Sequence, residues 1–388
     1  MTAHADRRTA LGAIAGGGLC ALGGCVTRTV GSTGAPAPDD AQLASLGLTR
    51  IQFERGRAFV AEHLTADLHA HPGHFFVDDD PAPTPLMDSL GPPFAEKSIA
   101  AMRAGRVGVV LFAAVADKRL LALSPDKGLA PSRSFRLGEA WADYRRQISI
   151  VQKLIAGGAV APGLSSVGIR AAWRAGKTAA VMAVEGGDFI ENDLTRLRMA
   201  HDDGVRSISI VHYTNNLIGD IQTDPLPGGR LTALGSAVVR EMQRIGLLVD
   251  LAHASPAVVQ NATAIATRPM MISHTNLAAP GVSHLRLISA DVAKAVAATG
   301  GVIGSVPSGI GQNTFPEWID SILRLKDVVG SAHVGIGTDM DANFRPVFTD
   351  YALWPAIVAA LMAREVSPRD CIAIMGGNFM RMFAESVG

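Results

Sequence analysis

The chain has 388 residues, 48% hydrophobic and 5% aromatic, and its 35 basic residues balance its 35 acidic ones to leave a formal net charge of zero. Such a balance supplies no whole-molecule field to recruit nucleic acid or an anionic membrane surface, so neither is expected as a partner on electrostatic grounds. The length fits one large barrel domain better than several small ones, since (β/α)8 barrels run about 250 residues or more.

The first residues read as an export signal rather than as part of the fold. Arg7-Arg8 precedes an uncharged, Gly- and Ala-rich stretch over residues 9–24 that ends in Leu22-Gly23-Gly24-Cys25. Paired arginines before a weakly hydrophobic run suggest the twin-arginine route, and the small residues before Cys25 match a bacterial lipoprotein cleavage site. Cys25 is therefore the expected lipidation site, and the run is short of the roughly 18 residues that would span a bilayer. The expected organisation is a signal and lipobox over 1–25, a flexible Gly/Pro/Ala/Ser-rich tether over 26–45 and one barrel domain over 46–388. The protein is thus expected to be exported to the cell envelope, periplasmic or surface, and held to a bacterial membrane only by its N-terminal lipid. Of the remaining cysteines, Cys20 leaves with the signal and Cys371 lies in an apolar stretch, where a buried inert thiol is expected.

Beyond residue 64, short apolar runs alternate with longer segments of helical period, the signature of βα units and a parallel sheet. The expected strands are 64–68, 107–113, 178–184, 207–211, 247–251, 270–273, 301–306 and 333–337, the number that closes a barrel. Helices are expected over 138–156, 193–202, 233–245, 256–266, 290–298 and 318–328. The insertion over 116–177 reads as an irregular loop with Pro125 and Pro131, a long helix and a shorter one, and 72–93 reads as a loop over the barrel mouth. The fold class is α/β, a (β/α)8 TIM barrel of the metal-dependent hydrolase type.

Barrel chemistry collects at the C-terminal ends of the strands, and that is where the ionisable residues fall. The first strand leads into Asp67-Leu68-His69-Ala70-His71, whose His-x-His spacing aims both imidazoles to one face of an extended chain. The third ends in Glu185-Gly186-Gly187, the fifth in Asp250-Leu251-Ala252-His253, the sixth in Ser273-His274 and the last in Gly337-Thr338-Asp339-Met340-Asp341. Neutral imidazoles and a carboxylate are the donor set of Zn²⁺ and related divalent ions, and a carboxylate between two ions can bridge them. His63 and His201 read as surface residues and His333 as the wrong end of its strand, while His74 and His284 stay open.

Taken in order, these segments resemble the membrane (renal-type) dipeptidases, family M19 of the amidohydrolase superfamily. The resemblance adds Val211-His212-Tyr213-Thr214-Asn215, Ser283-His284-Leu285-Arg286 and Gly376-Gly377-Asn378-Phe379 to the motifs above, and so spans nearly the whole mature chain. It implies two Zn²⁺ ions per chain, other divalent metals remaining open, with His69 and His71 on one, His253 and His274 on the second and Glu185 bridging. It further implies that His212 polarises the scissile carbonyl, Arg286 receives a substrate carboxylate and Asp339 shuttles the proton. One position departs: the family usually has His-x-Asp after the first strand, and His71 in place of the acid makes the centre about one charge more positive.

The implied activity is hydrolysis of short peptides with a free C-terminal carboxylate by a metal-activated water, with a small-molecule or dipeptide substrate, and with a homodimer as an open expectation. Two alternatives stand beside it: an amidohydrolase for another small amide, N-acyl amino acid or lactone, and a non-catalytic ligand-binding lipoprotein.

Overall fold

The structure, a computed structural model, describes residues 38–125, 128–279 and 281–388. The arginine pair, Cys25 and residues 26–37 of the expected tether lie outside the described residues. Asp39 accepts the Gln42 N–H and caps a helix over Asp40–Ser45 whose Leu43 is buried, so the packed fold begins before residue 46. Among the described residues, no helix is long and apolar enough to cross a membrane.

Eight parallel strands follow one another around a sheet: β1 (Ala66–Ala70), β2 (Val109–Val115), β3 (Ala179–Glu185), β4 (Val205–Ser209), β5 (Leu248–Asp250), β6 (Met271–Leu277), β7 (Val302–Ser305) and β8 (Val334–Ile336). Each begins within two residues of its expected start. The ring closes at the mouth, where Ala70 pairs with Met340, the His71 N–H donates to Met340 O at 2.9 Å and the Asp339 N–H to His69 O at 2.8 Å. Asp67 reinforces the seam by accepting from Thr338 N at 2.9 Å and from the Tyr351 hydroxyl at 2.7 Å. This is the expected (β/α)8 barrel.

Strand alternation divides the apolar residues into two cores. Leu68, Val109, Leu111, Ala113, Val181, Ala183, Leu248, Met271 and Val302 fill the barrel, whose lower end is packed by Phe379, Met380, Met382 and Phe383 of the C-terminal helix Asn378–Ser386. Val110, Phe112, Ala114, Ala180, Met182 and Val184 point outward against the helices. By the same alternation Glu185 continues the inward set of β3, which delivers its carboxylate to the mouth.

Two bulges break the alternation where it matters. Asp67 pairs with Val110 and Ala70 with Phe112, so Leu68 and His69 share one partner position on β2. Ile272 pairs with Ile303 and Thr275 with Ser305, so Ser273 and His274 together oppose Gly304. A bulge turns two successive side chains toward one side, and in both cases the second is a histidine. The backbone at the β6 bulge requires room: a Cβ on Gly304 or Gly337 would stand 1.9 or 1.8 Å from Ser273 O. Only glycine fits at either place.

The expected irregular loop after β2 is instead an antiparallel hairpin, Leu121–Ser124 with Gly128–Pro131, followed by helices Glu139–Ala156 and Ser166–Arg174 as expected. Pro131 is tolerated because it closes the pairing at the end of the hairpin rather than sitting inside it. The mouth segment after His71 holds a tight helical stretch, Pro72–Val77, and a short helix, Pro85–Ser89, where only loop was expected. The helix expected from 318 begins at Phe315, because Thr314 caps it through Glu317 N and Pro316 fits its first turn.

Candidate metal centre

At the mouth, five imidazoles surround one carboxylate. Oε1 of Glu185 lies 2.9 Å from His253 Nε2 and 3.4 Å from the Nε2 atoms of His69 and His274. Its Oε2 lies 3.4 Å from His71 Nε2 and 3.3 Å from His212 Nε2. All six side chains are buried. Two groups of donor atoms each fall within 4.8 Å of one another: His69, His71 and Glu185, and Glu185, His253 and His274.

The outer ring nitrogens fix how these imidazoles face inward. His71 Nδ1 lies 2.7 Å from Ala113 O, and since a carbonyl only accepts, Nδ1 carries the proton and a neutral His71 turns the lone pair of Nε2 to the centre. Ser273 Oγ sits between His69 Nδ1 at 3.3 Å and His274 Nδ1 at 3.0 Å. His253 reaches the centre by a left-handed backbone, φ 66°, which Asp250 supports by accepting from Ala252 N at 3.0 Å and Ser273 N at 2.9 Å. Asp339 is likewise left-handed, φ 53°, and places Oδ1 3.3 Å from His71 Nε2. Non-glycine residues in this region cost of order 1–3 kcal/mol and persist where their surroundings fix them.

The electrostatics leave the centre short of positive charge. Burial alone would raise the Glu185 carboxyl, but the charges of His212 and His69 and the hydrogen bonds from His253 and His69 hold it well below the usual carboxylate range. Burial, with the charges of Arg286 and His212, drives His253 well below the usual imidazole range, and burial with His69 does the same to His274. These two rings are thus neutral with Nε2 atoms only 3.0 Å apart. Burial also opposes charge on His71, yet hydrogen bonds to Asp339 and Glu185 hold it up to about 10. The point between those two carboxylates calls for positive charge, from a proton or an ion.

Donors about 2.0–2.2 Å from a shared ion stand roughly 3–3.5 Å apart, which is the spacing of these atoms, so the residues fit a divalent cation.

His212 and Arg286 flank the centre. His212 follows β4, with Nδ1 2.6 Å from Asp117 Oδ1; burial works against its imidazolium, but Asp117 and Glu185 raise it above the usual range. Arg286 donates from Nη1 to Gln222 Oε1 at 2.8 Å. Tyr213 covers His212 and His253 with ring centroids at 4.7 and 4.9 Å. The structure therefore brings His69, His71, Glu185, His253, His274, His212 and Asp339 together, with Arg286 close enough for its charge to act on His253 and His274.

The family model of the membrane dipeptidases (peptidase family M19) matches residues 82–387. The chain belongs to the membrane dipeptidase family. Dipeptidase verJ of Clonostachys rogersoniana is 33% identical over 218 residues, which cover 54% of this chain and 56% of that protein. The chain thus spans about half the length of that relative. The probable dipeptidase PvdM from Pseudomonas aeruginosa shares the fold at a TM-score of 0.71 and 19% identity, over 87% of this chain and 98% of that one. A metallo peptidase from Rhodobacter sphaeroides, solved with a phosphinate mimic of the dipeptide L-Ala-D-Ala, has a TM-score of 0.67 and 17% identity, over 84% of this chain and 99% of that one. The family match starts beyond His69-Ala70-His71.

Three buried residues beside this centre escaped the sequence reading. Asp117 stands two residues past β2 and carried an available signal, an acid at the C-terminal end of the one early strand left without one. Asp188 has a buried Oδ2 without a partner, and burial with the charge of Asp117 pushes its carboxyl up to about 8. Gln222, whose N–H donates to His253 O at 2.8 Å, had no signal at all. The other histidines keep to the margins: His333 bonds Gly301 O at 2.8 Å at the far end of β8, and His284 is exposed. His74 is half-buried with Nδ1 unpartnered. Cys371 is buried, and burial pushes its thiol up to about 11.

Proposed function

We propose that this chain is a zinc-dependent dipeptidase, cleaving the amide bond of short peptides that carry a free C-terminal carboxylate. The observation that carries the reading is the convergence of the Nε2 atoms of His69, His71, His253 and His274 on both oxygens of Glu185. His69 and His71 would hold one ion, His253 and His274 a second, with Glu185 shared between them. Such ions supply Lewis acidity, which eases ionisation of water near neutral pH and polarises a carbonyl.

The chain's own residues supply the rest. Arg286, steadied by Gln222, receives the terminal carboxylate through its guanidinium fork and so selects short substrates. His212 donates from Nε2 to the scissile carbonyl oxygen, as negative charge grows there. Asp339, at the rim beside His71, takes a proton from the attacking water and returns it to the leaving amine. Burial of the centre strengthens each of these interactions by excluding water.

The N-terminal motif is read in the same way: Cys25 would be acylated, and the enzyme exported and held at the cell envelope by that lipid. The dipeptide mimic bound by the Rhodobacter sphaeroides relative favours a D-residue at the C-terminal position among the substrates to test first.

A panel of L,L- and L,D-dipeptides, with their C-terminally amidated forms, tests the reading on wild type and Arg286→Met. Hydrolysis of the free acids, with kcat/KM reduced on the order of 100-fold in Arg286→Met and mainly through KM, is expected. Equal rates for acids and amides would instead point to another amide or a lactone as substrate.

A further inference from the structure

Asp117 is fully buried, and its two oxygens are divided between tasks. Oδ1 lies 2.6 Å from His212 Nδ1, while Oδ2 accepts from Tyr213 N at 3.0 Å and from the Thr214 hydroxyl at 2.9 Å. Three consecutive residues of the β4 loop are thereby bound to one carboxylate contributed by the β2 loop. An ionised carboxylate only accepts, so His212 must present its proton at Nδ1, and with that nitrogen fixed the ring plane is fixed too. The consequence is visible on the other side of the ring, where Nε2 points into the centre 3.3 Å from Glu185 Oε2.

The carboxylate is itself held. Lys118, the next residue, is fully buried and ion-paired to Asp80 and, at 3.6 Å, to Asp143; Arg119 pairs with the same two acids at 2.8 and 3.1 Å. Asp80 belongs to the mouth segment that follows His71, and Asp143 to the helix Glu139–Ala156. The β2 loop is thus anchored on one side by Lys118 and Arg119 while Asp117 reaches to the other.

We propose that Asp117 is a positioning residue for His212: by accepting the Nδ1 proton it fixes the ring and aims Nε2 at the substrate carbonyl, to which the ring donates when Nε2 also carries a proton. This rests on the role given to His212 above. It deepens that role by naming the group that makes the imidazole a directed donor rather than a free one. Asp117 touches neither substrate nor any proposed metal donor.

Asp117→Asn separates this role from mere packing. With its carbonyl oxygen toward His212, the amide sets its NH2 against the Tyr213 N–H; turned the other way, it offers NH2 to Nδ1 and forces the proton to Nε2. The test uses full-length ¹⁵N-histidine protein loaded with zinc, with His212 assigned by difference against His212→Gln. The expected result is unchanged metal content, kcat reduced on the order of 100- to 1000-fold with KM within a few-fold, and loss of the Nδ1–H signature of the His212 ring.

A kcat within about threefold of wild type, or an unchanged ring signature, overturns the proposal. Should Asp117→Asn not fold, Thr214→Val carries the test: it removes one donor to Oδ2, and a His212 ring and kcat identical to wild type overturn the proposal equally. If wild type cleaves no dipeptide, the functional reading fails, whereas the ring signature in Asp117→Asn still decides whether Asp117 sets the form of His212.

Discussion

Two buried clusters of charge lie on either side of Asp117 and Lys118, and they are built on opposite plans. In the first, Asp80 and Asp143 meet Lys118, Arg119 and Arg146, with Arg146 Nε 3.0 Å from Asp143 Oδ1, so every acid has a cation from the chain itself. In the second, Glu185 meets imidazoles of which His253 and His274 are driven to the neutral form, and the facing nitrogens stand 3.0 and 3.2 Å apart. The first cluster is complete in its own atoms. The second brings the neutral rings of His253 and His274 nitrogen to nitrogen beside one carboxylate, which is the arrangement of a site that takes an ion from outside. Buried charge alone therefore does not mark a functional centre; a shortage of partners does.

Substitutions in the two clusters sharpen the contrast. The largest effect is expected from Glu185→Gln, which removes the shared carboxylate: dipeptide turnover should fall ~1000-fold or more, and metal per folded chain should drop, while circular dichroism stays that of the barrel. Turnover and metal equal to wild type would break the distinction. Lys118→Met should do the reverse. It removes one of the two cations paired with Asp80 and one of the three paired with Asp143, and should lower unfolding stability by roughly 1–3 kcal/mol in a denaturant titration, with metal content per folded chain retained.

The smallest effect concerns Asp188, close to Asp117 and His212. Its carboxyl ordinarily titrates near 3.8, but burial and the charge of Asp117 push it up to about 8. Between these values the folded chain keeps a proton that the unfolded chain has released, so the stability tied to this group falls as pH rises through that window and levels off above it. Asp188→Asn removes the titration. Its melting midpoint should fall a few °C less than that of wild type between pH 5 and pH 8, and identical pH curves would place the proton elsewhere.

Most of the barrel was legible because buried parallel strands are near-continuous apolar runs, and all eight stand out between polar boundaries. The candidate donors were legible because they end apolar runs, as Glu185 follows Val184 and His274 closes Met271-Ile272-Ser273. The bulges at Leu68-His69 and Ser273-His274 were not, since strict alternation would have turned His69 away from the side that Leu68 faces. The hairpin Leu121–Ser124 with Gly128–Pro131 was hidden by its two prolines, which read as breakers until the pairing shows one at its end. The ion-paired cluster joins residues 80, 118–119 and 143–146, and no local pattern announces a contact between acids and bases so far apart. Asp117 carries the same signal as the candidate donors, an ionisable residue just past the end of an apolar strand.

The central claim is that Glu185 and its ring of imidazoles form a metal centre. Elemental analysis of the full chain, purified without added metal and dialysed against metal-free buffer, addresses it most directly. At least one divalent ion per folded chain is the expected result. Folded protein that cleaves dipeptides while holding no stoichiometric ion would contradict it.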